Sequence, residues 1–183
     1  KLSEETLEDM YYDAMELVDD GSAAGAKKEE KLLLGALESD PHHVQSYVGL
    51  AYVYGTTGDK RKAAAAIEKA YAETVALFPV WPDEMEWGYI ENRPYMRAIQ
   101  YRADLYADED MKDEATELYR LLLRLNPNDN QGVRYLIAGM YAGVSGKKIN
   151  AMFDEGNEKQ DWSALEELVT AQNARHHFWK EHT

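Results

Sequence analysis

Cysteine is absent from all 183 residues. That excludes a disulfide framework, a thiolate metal site and a cysteine nucleophile, and it leaves the redox compartment open. No apolar run approaches the roughly 20 residues that a membrane-spanning helix requires. Strand-like alternation of apolar and polar residues is missing, so a sheet is not expected. Basic residues are few: 20 Lys and Arg stand against 34 Asp and Glu, for a net charge of −14. Such a surface repels phosphates, which argues against nucleic-acid binding and disfavours anionic membranes. No Gly-rich phosphate loop, nucleophile elbow or paired catalytic acid stands out, so the expectation is a non-enzymatic chain without a cofactor.

Hydrophobic residues make up 45%, ordinary for a globular chain, and the length suits one domain or a short repeat array. Lys1 opens the sequence, from which the loss of something upstream is expected: a tag, a signal peptide or further domain. A cytoplasmic location is expected, with export left open by that start. The first 20 residues hold Glu4, Glu5, Glu8, Asp9, Asp13, Glu16, Asp19 and Asp20 against Lys1 alone. This reads as a solvated end helix, with docking of a basic partner as the alternative.

Helical periodicity dominates. Leu7, Met10, Tyr11, Ala14, Leu17 and Val18 share one face, and further helices are expected over about 27–39, 41–54, 60–77, 94–106, 112–125 and 130–143. Asp40-Pro41 suits an N-cap followed by Pro at N1. A short helix is expected over 147–155 with Gly156 as its stop, and a last one over 164–180 from the capping-box spacing of Ser163 and Glu166. Between Pro79 and Pro94 the rhythm breaks, and Trp81, Trp87 and Tyr89 collect there. That stretch reads as packing cover over a neighbouring hairpin or as a contact loop.

One sparse pattern recurs. Tyr47, Leu50, Ala51, Tyr54, Gly58, Asp59, Ala63, Ile67 and Ala70 form the clearest copy. Ile99, Ala103, Tyr106, Ala115, Tyr119 and Pro127 form a second, and Met10, Ala14, Leu17, Gly21, Leu33, Ala36 and Pro41 a looser third. Small residues in these positions allow two helices to approach closely, while tyrosines and leucines fill the space between hairpins. The predicted class is all-α, built of helical hairpins.

The offsets resemble the tetratricopeptide repeat family, whose unit is about 34 residues. Units fall at about 7–41, 44–78, 96–129 and, degenerate, 130–156, with an insertion at 79–95 and a capping helix at 161–181. The segments 93–98 and 125–132 are also similar to a set of prokaryotic repeat proteins. The resemblance implies a right-handed superhelix of antiparallel helix pairs whose first helices line a concave groove. It places Tyr11, Met15, Tyr52, Arg97, Gln100, Asp104, Ala107, Asp108 and Arg134 along that groove, with Tyr101 adjacent. Tyrosine and arginine are frequent interface anchors. The Lys and Asn clamp that some members use for a carboxylate tail is missing: Tyr11, Met15 and Tyr52 occupy those positions. Arg97 and Arg134 could meet an acidic group, or pair with the chain's own acids.

Five histidines raise a metal question. His42-His43 and His176-His177 are adjacent pairs, which point to different helix faces and lack the i, i+4 spacing of a zinc site, so no metal is expected. The expected function is a non-catalytic scaffold that binds a protein or peptide in its groove. The alternatives are self-association through the last helix or the groove, and the helical domain of an enzyme.

Overall fold

The computed structural model describes residues 23–180 together with Ser3, Thr6 and Tyr11. Among the described residues all regular structure is helical, and it divides into one unit up to Val80 and a second from Trp81 onward.

The first unit contains α1 (Ala23–Ser39), α2 (Val44–Thr57) and α3 (Lys60–Leu77). The α2/α3 hairpin follows from local chemistry. Gly58 takes φ +81°, a left-handed conformation that ends α2. Asp59 then caps α3 by accepting the Lys62 backbone N–H at 3.1 Å. Ala66 and Ala70 are buried in α3, and their small side chains let the helices lie close. The core gathers Leu33 and Ala36 of α1 with Val44, Val48, Leu50 and Val53 of α2. Each large apolar side chain contributes roughly 1.5–3 kcal/mol by leaving water. Among the described residues of this unit three buried polar ones interrupt the apolar pattern: Ser46 and Thr74 are hydrogen-bonded, whereas Glu29 is fully buried and neither carboxylate oxygen has a hydrogen-bond partner. Burial alone pushes its carboxyl from 4.5 up to about 7.

The start of α2 differs from expectation. Asp40 Oδ1 accepts the His42 backbone N–H at 3.1 Å, so Asp40 closes a turn and does not cap a helix. The helix begins only at Val44, after the Pro41-His42 turn.

The second unit contains a 3₁₀ turn (Ile90–Asn92) and α4 (Arg93–Asp108), α5 (Lys112–Leu125), α6 (Val133–Ala142), α7 (Gly146–Lys159) and α8 (Ser163–His176). Consecutive helices from α4 to α7 pack in sequence, and α8 lies on α6 as well as α7. Met96, Ile99, Ala103, Tyr119, Leu122, Leu125, Ile137, Ile149 and Leu165 form the core. The segment before α4 folds back onto this unit as cover. The Met85 backbone N–H donates to the Leu125 carbonyl at 2.6 Å and its side chain is buried; Arg124 donates to the Pro82 carbonyl at 3.0 Å. Trp87 is flanked by the guanidinium groups of Arg93 and Arg97, 5.2 and 5.3 Å from its ring.

Two expectations for the chain's later part are corrected. α7 is a full helix to Lys159, and Gly156 does not stop it. Gly156 is there for space: a Cβ would lie 2.7 Å from Trp162 Cδ1. Ser163 does not cap α8 through its side chain, because Trp162 holds the N-cap position and Glu166 turns toward Arg134. No described helix is long and apolar enough to cross a membrane.

Candidate functional site

Open cavities in the second unit contain polar side chains, and two of them hold the residues at issue. The larger, about 880 Å³, lies among α4, α5, α6 and α7. α4 contributes Gln100, Asp104, Ala107 and Asp108, which lie three and four residues apart along one side of the helix with Ala107 and Asp108 adjacent. Tyr119 of α5 and Leu136 of α6 form the floor; Ser145, Gly146, Lys147, Asn150, Ala151 and Asp154 line the side formed by α7 and its N-cap. Ser145 caps α7 by accepting the Lys148 N–H at 3.3 Å, which fixes where that wall begins.

Asp104 is the most constrained group. The buried Tyr119 hydroxyl donates to its Oδ1 at 2.6 Å. Burial pushes the Asp104 carboxyl up to about 6; the Tyr119 hydrogen bond opposes this, and the charge of Asp108 adds to it. The Tyr119 phenol is driven upward by its own burial and by the neighbouring Asp104 charge. Gln100 is held at the other end, where Gln131 donates to its Oε1 at 2.6 Å.

The second cavity, about 540 Å³, is lined by Asp129, Arg134, Tyr135, Phe153, Trp162 and Glu166 among others. Its polar groups are committed to one another. Asp129 accepts the backbone N–H groups of Val133 (2.7 Å) and Arg134 (3.0 Å), which anchors the start of α6. It also pairs with the Arg134 guanidinium at 2.9 Å. Arg134 reaches Glu166 of α8 at 3.0 Å, and Tyr135 donates to the same carboxylate. The guanidinium lies over the Trp179 ring at 5.1 Å, and Trp179 in turn donates to the Pro127 carbonyl at 2.9 Å. Burial raises the Asp129 carboxyl despite four opposing interactions with Arg134 and Val133. At Glu166 the balance reverses: hydrogen bonds from Tyr135 and Arg134 outweigh burial and hold its carboxyl low.

The expected groove residues therefore separate. Gln100 and Asp104, with Ala107 and Asp108, meet in the larger cavity. Arg134 belongs to the α6–α8 lock, Arg97 stacks on Trp87, and Tyr101 is half-buried outside the cavity lining. In the first unit Tyr11 is buried at 6% exposure and Tyr52 is exposed; Met15 lies outside the described residues. Tyr119, Lys147, Asn150 and Asp154 were not anticipated as site residues. Reading 146–159 as a full helix would have brought the last three to the same wall. Among the described residues no three His, Asp or Glu side chains are grouped so that they could hold a metal ion.

No curated protein and no solved structure matches the chain. A protein-family model described as transcriptional repressor TCF25 matches residues 23–155, from the start of α1 into α7, and the chain belongs to that family. This corrects the tetratricopeptide resemblance, since the matching family is TCF25 and no tetratricopeptide family matches. The physical reason is that small residues at helix crossings, a Gly-Asp turn and interleaved tyrosines are needs of any tight helical hairpin. They do not identify one hairpin family.

Proposed function

We propose that this TCF25-family chain is a non-catalytic binding module that docks a partner protein or peptide in the cavity among α4, α5, α6 and α7. One observation carries the reading: four residues of α4 converge with α7 on an open cavity of about 880 Å³. A space of that size suits a short peptide stretch or a few anchoring side chains. The proposal asks only for the local packing of α4 to α7, not for a superhelix of the whole chain. The family description, transcriptional repressor, makes a component of the transcription apparatus the first partner to test. With a net charge of −14, repression would run through protein contacts and not through DNA phosphates. Self-association through the last helix is less favoured, because Leu165 and Val169 of α8 are buried within the unit.

The test is a reporter assay with the chain fused to an unrelated DNA-binding domain. The fusion lowers transcription, and Ala151→Trp, which fills the cavity from the exposed face of α7, removes the effect. Full repression by the Trp variant, with the fold intact by circular dichroism, would sink the cavity assignment.

A further inference from the structure

The walls of this cavity also define the chemistry of what suits it. Asp104 and Asp108 stand on α4 and Asp154 on α7, against Lys147 as the cationic side chain of the lining. Among the described residues, Asp104, Asp108, Asp154 and Lys147 form no ion pair within 4 Å, and the partner of Asp104 is the neutral Tyr119 hydroxyl. Asp104 is half-buried, with the exposed Asp108 beside it and no counter-charge against either, and both its burial and the Asp108 charge displace its carboxyl upward. A cation entering the cavity would relieve it.

The spread of the acids selects the kind of cation. The carboxylates do not converge on one point in a metal-holding group, so a divalent ion is poorly served. They line a cavity with apolar ground between them, from Ala107, Leu136 and Ala151. Lysine and arginine carry a charged head on an aliphatic stem that such ground accommodates. Arginine also matches carboxylates in planar, charge-assisted hydrogen bonds. The chain's overall negative charge would draw a basic segment in from solution.

We infer that the cavity binds a basic segment of a partner protein, with an arginine or lysine head at Asp104 and Asp108 and its stem against Ala107, Leu136 and Ala151. This rests on the docking reading given above, and the test separates the two. The probes are three labelled peptides of one length, alternating alanine with arginine, with citrulline or with glutamate; binding is read by fluorescence anisotropy. The arginine peptide binds and weakens as salt rises, and the citrulline peptide, equal in shape but neutral, does not bind. The Asp104→Asn/Asp108→Asn variant keeps an oxygen for Tyr119 and weakens the arginine peptide about tenfold or more, as expected for lost charged hydrogen bonds. Lys147→Ala tightens it. Asp113→Asn/Glu114→Gln, the same charge change on exposed residues of α5, leaves affinity within about twofold, the small effect expected of a screened surface charge.

Equal binding of arginine and citrulline peptides overturns the inference, and so does equal weakening by the two double variants. Absence of arginine-peptide binding does the same. If the citrulline or glutamate peptide binds and Ala151→Trp abolishes it, the docking reading stands and the basic class falls. If arginine-peptide binding is indifferent to Ala151→Trp, both fall.

Discussion

The two units of this chain are built on different principles. The first relies mainly on close apolar packing: Ala66, Ala70, Val48, Val53 and Leu33 carry its interior, Tyr54 and Lys62 meet Glu30 at its margin, and among the described residues its one fully buried acid, Glu29, has no hydrogen-bond partner. The second is fastened by directed polar contacts. Asp129, Arg134 and Glu166 lock α6 to α8, Tyr119 holds Asp104, and Arg120 donates to the His176 carbonyl at 2.8 Å beside the stacked Tyr141 and His176 rings. Apolar packing is non-directional and closes up on itself. Directed contacts fix a shape that need not close, and the cavities described above belong to that unit. The contrast teaches where to look for function: a wall of charged groups persists only where other polar contacts hold its supports in place.

The contrast breaks most visibly at Asp129. Its carboxylate is almost wholly buried and serves two backbone N–H groups and the Arg134 guanidinium. Asp129→Ala leaves two helix-terminal donors without their acceptor and takes from the Arg134 guanidinium one of its two carboxylate partners. The expected loss is about 3 kcal/mol, read as a fall in the denaturant midpoint. Hydrogen exchange would show amides of α6 and α8 deprotected first. Loss of less than about 1 kcal/mol, the size of an ordinary hydrogen bond, would mean that the lock is ornamental and the second unit, like the first, stands mainly on packing.

Glu29 tests the opposite unit. Burial pushes its carboxyl from 4.5 up to about 7 in the folded chain. The folded state therefore holds the proton more tightly, so stability is highest below the free value and falls as pH rises from about 4.5 to 7. Replacing the carboxyl by an apolar side chain removes that penalty. Glu29→Met is expected to stabilise by up to about 2 kcal/mol at pH 8, with little gain at pH 5. Thermal midpoints at the two pH values check it; an equal effect at both would show that ionisation of Glu29 is not what costs stability.

These differences bear on what the sequence could convey. Helices α3 and α5 were legible to their ends, because Asp59 and the turns around Gly58 and Asn126 act within a few residues. The start of α2 was not, since Asp40 bonds inside a turn. α7 looked short because a glycine reads as a stop, while Gly156 is there to admit Trp162. The site was half legible for the same reason. Gln100 and Asp104 enter only as groove positions that the tetratricopeptide resemblance implies for α4, while the opposite wall depends on α7 being full length, and the commitment of Arg134 depends on Glu166 being brought in by α8. The family was misread because the recurring residues encode close helix approach, which is shared by unrelated hairpins.

The smallest effect offers the sharpest comparison, since each unit contains a helical glycine at a tight crossing. In the first, a Cβ at Gly49 would lie 3.0 Å from a Leu33 methyl and 3.2 Å from Tyr11, contacts that a slight side-chain shift relieves. In the second, a Cβ at Gly139 would lie 2.6 Å from Ile149 Cγ1, close to that side chain's root, and 3.3 Å from the Val144 carbonyl. Ile149 is buried and cannot swing away without moving α7. Alanine in place of helical glycine gains roughly 1 kcal/mol in propensity, whereas forced overpacking costs about 1–3 kcal/mol. Gly49→Ala should therefore come out near neutral, and Gly139→Ala destabilising by about 1 kcal/mol. Adding Ile149→Ala should recover part of the second loss, so that the double variant is less destabilised than the sum of the singles. If instead both glycines tolerate alanine equally, the α6–α7 crossing is as yielding as the α1–α2 one. The cavity wall formed by α7 would then be set by plastic packing and not by a fixed frame.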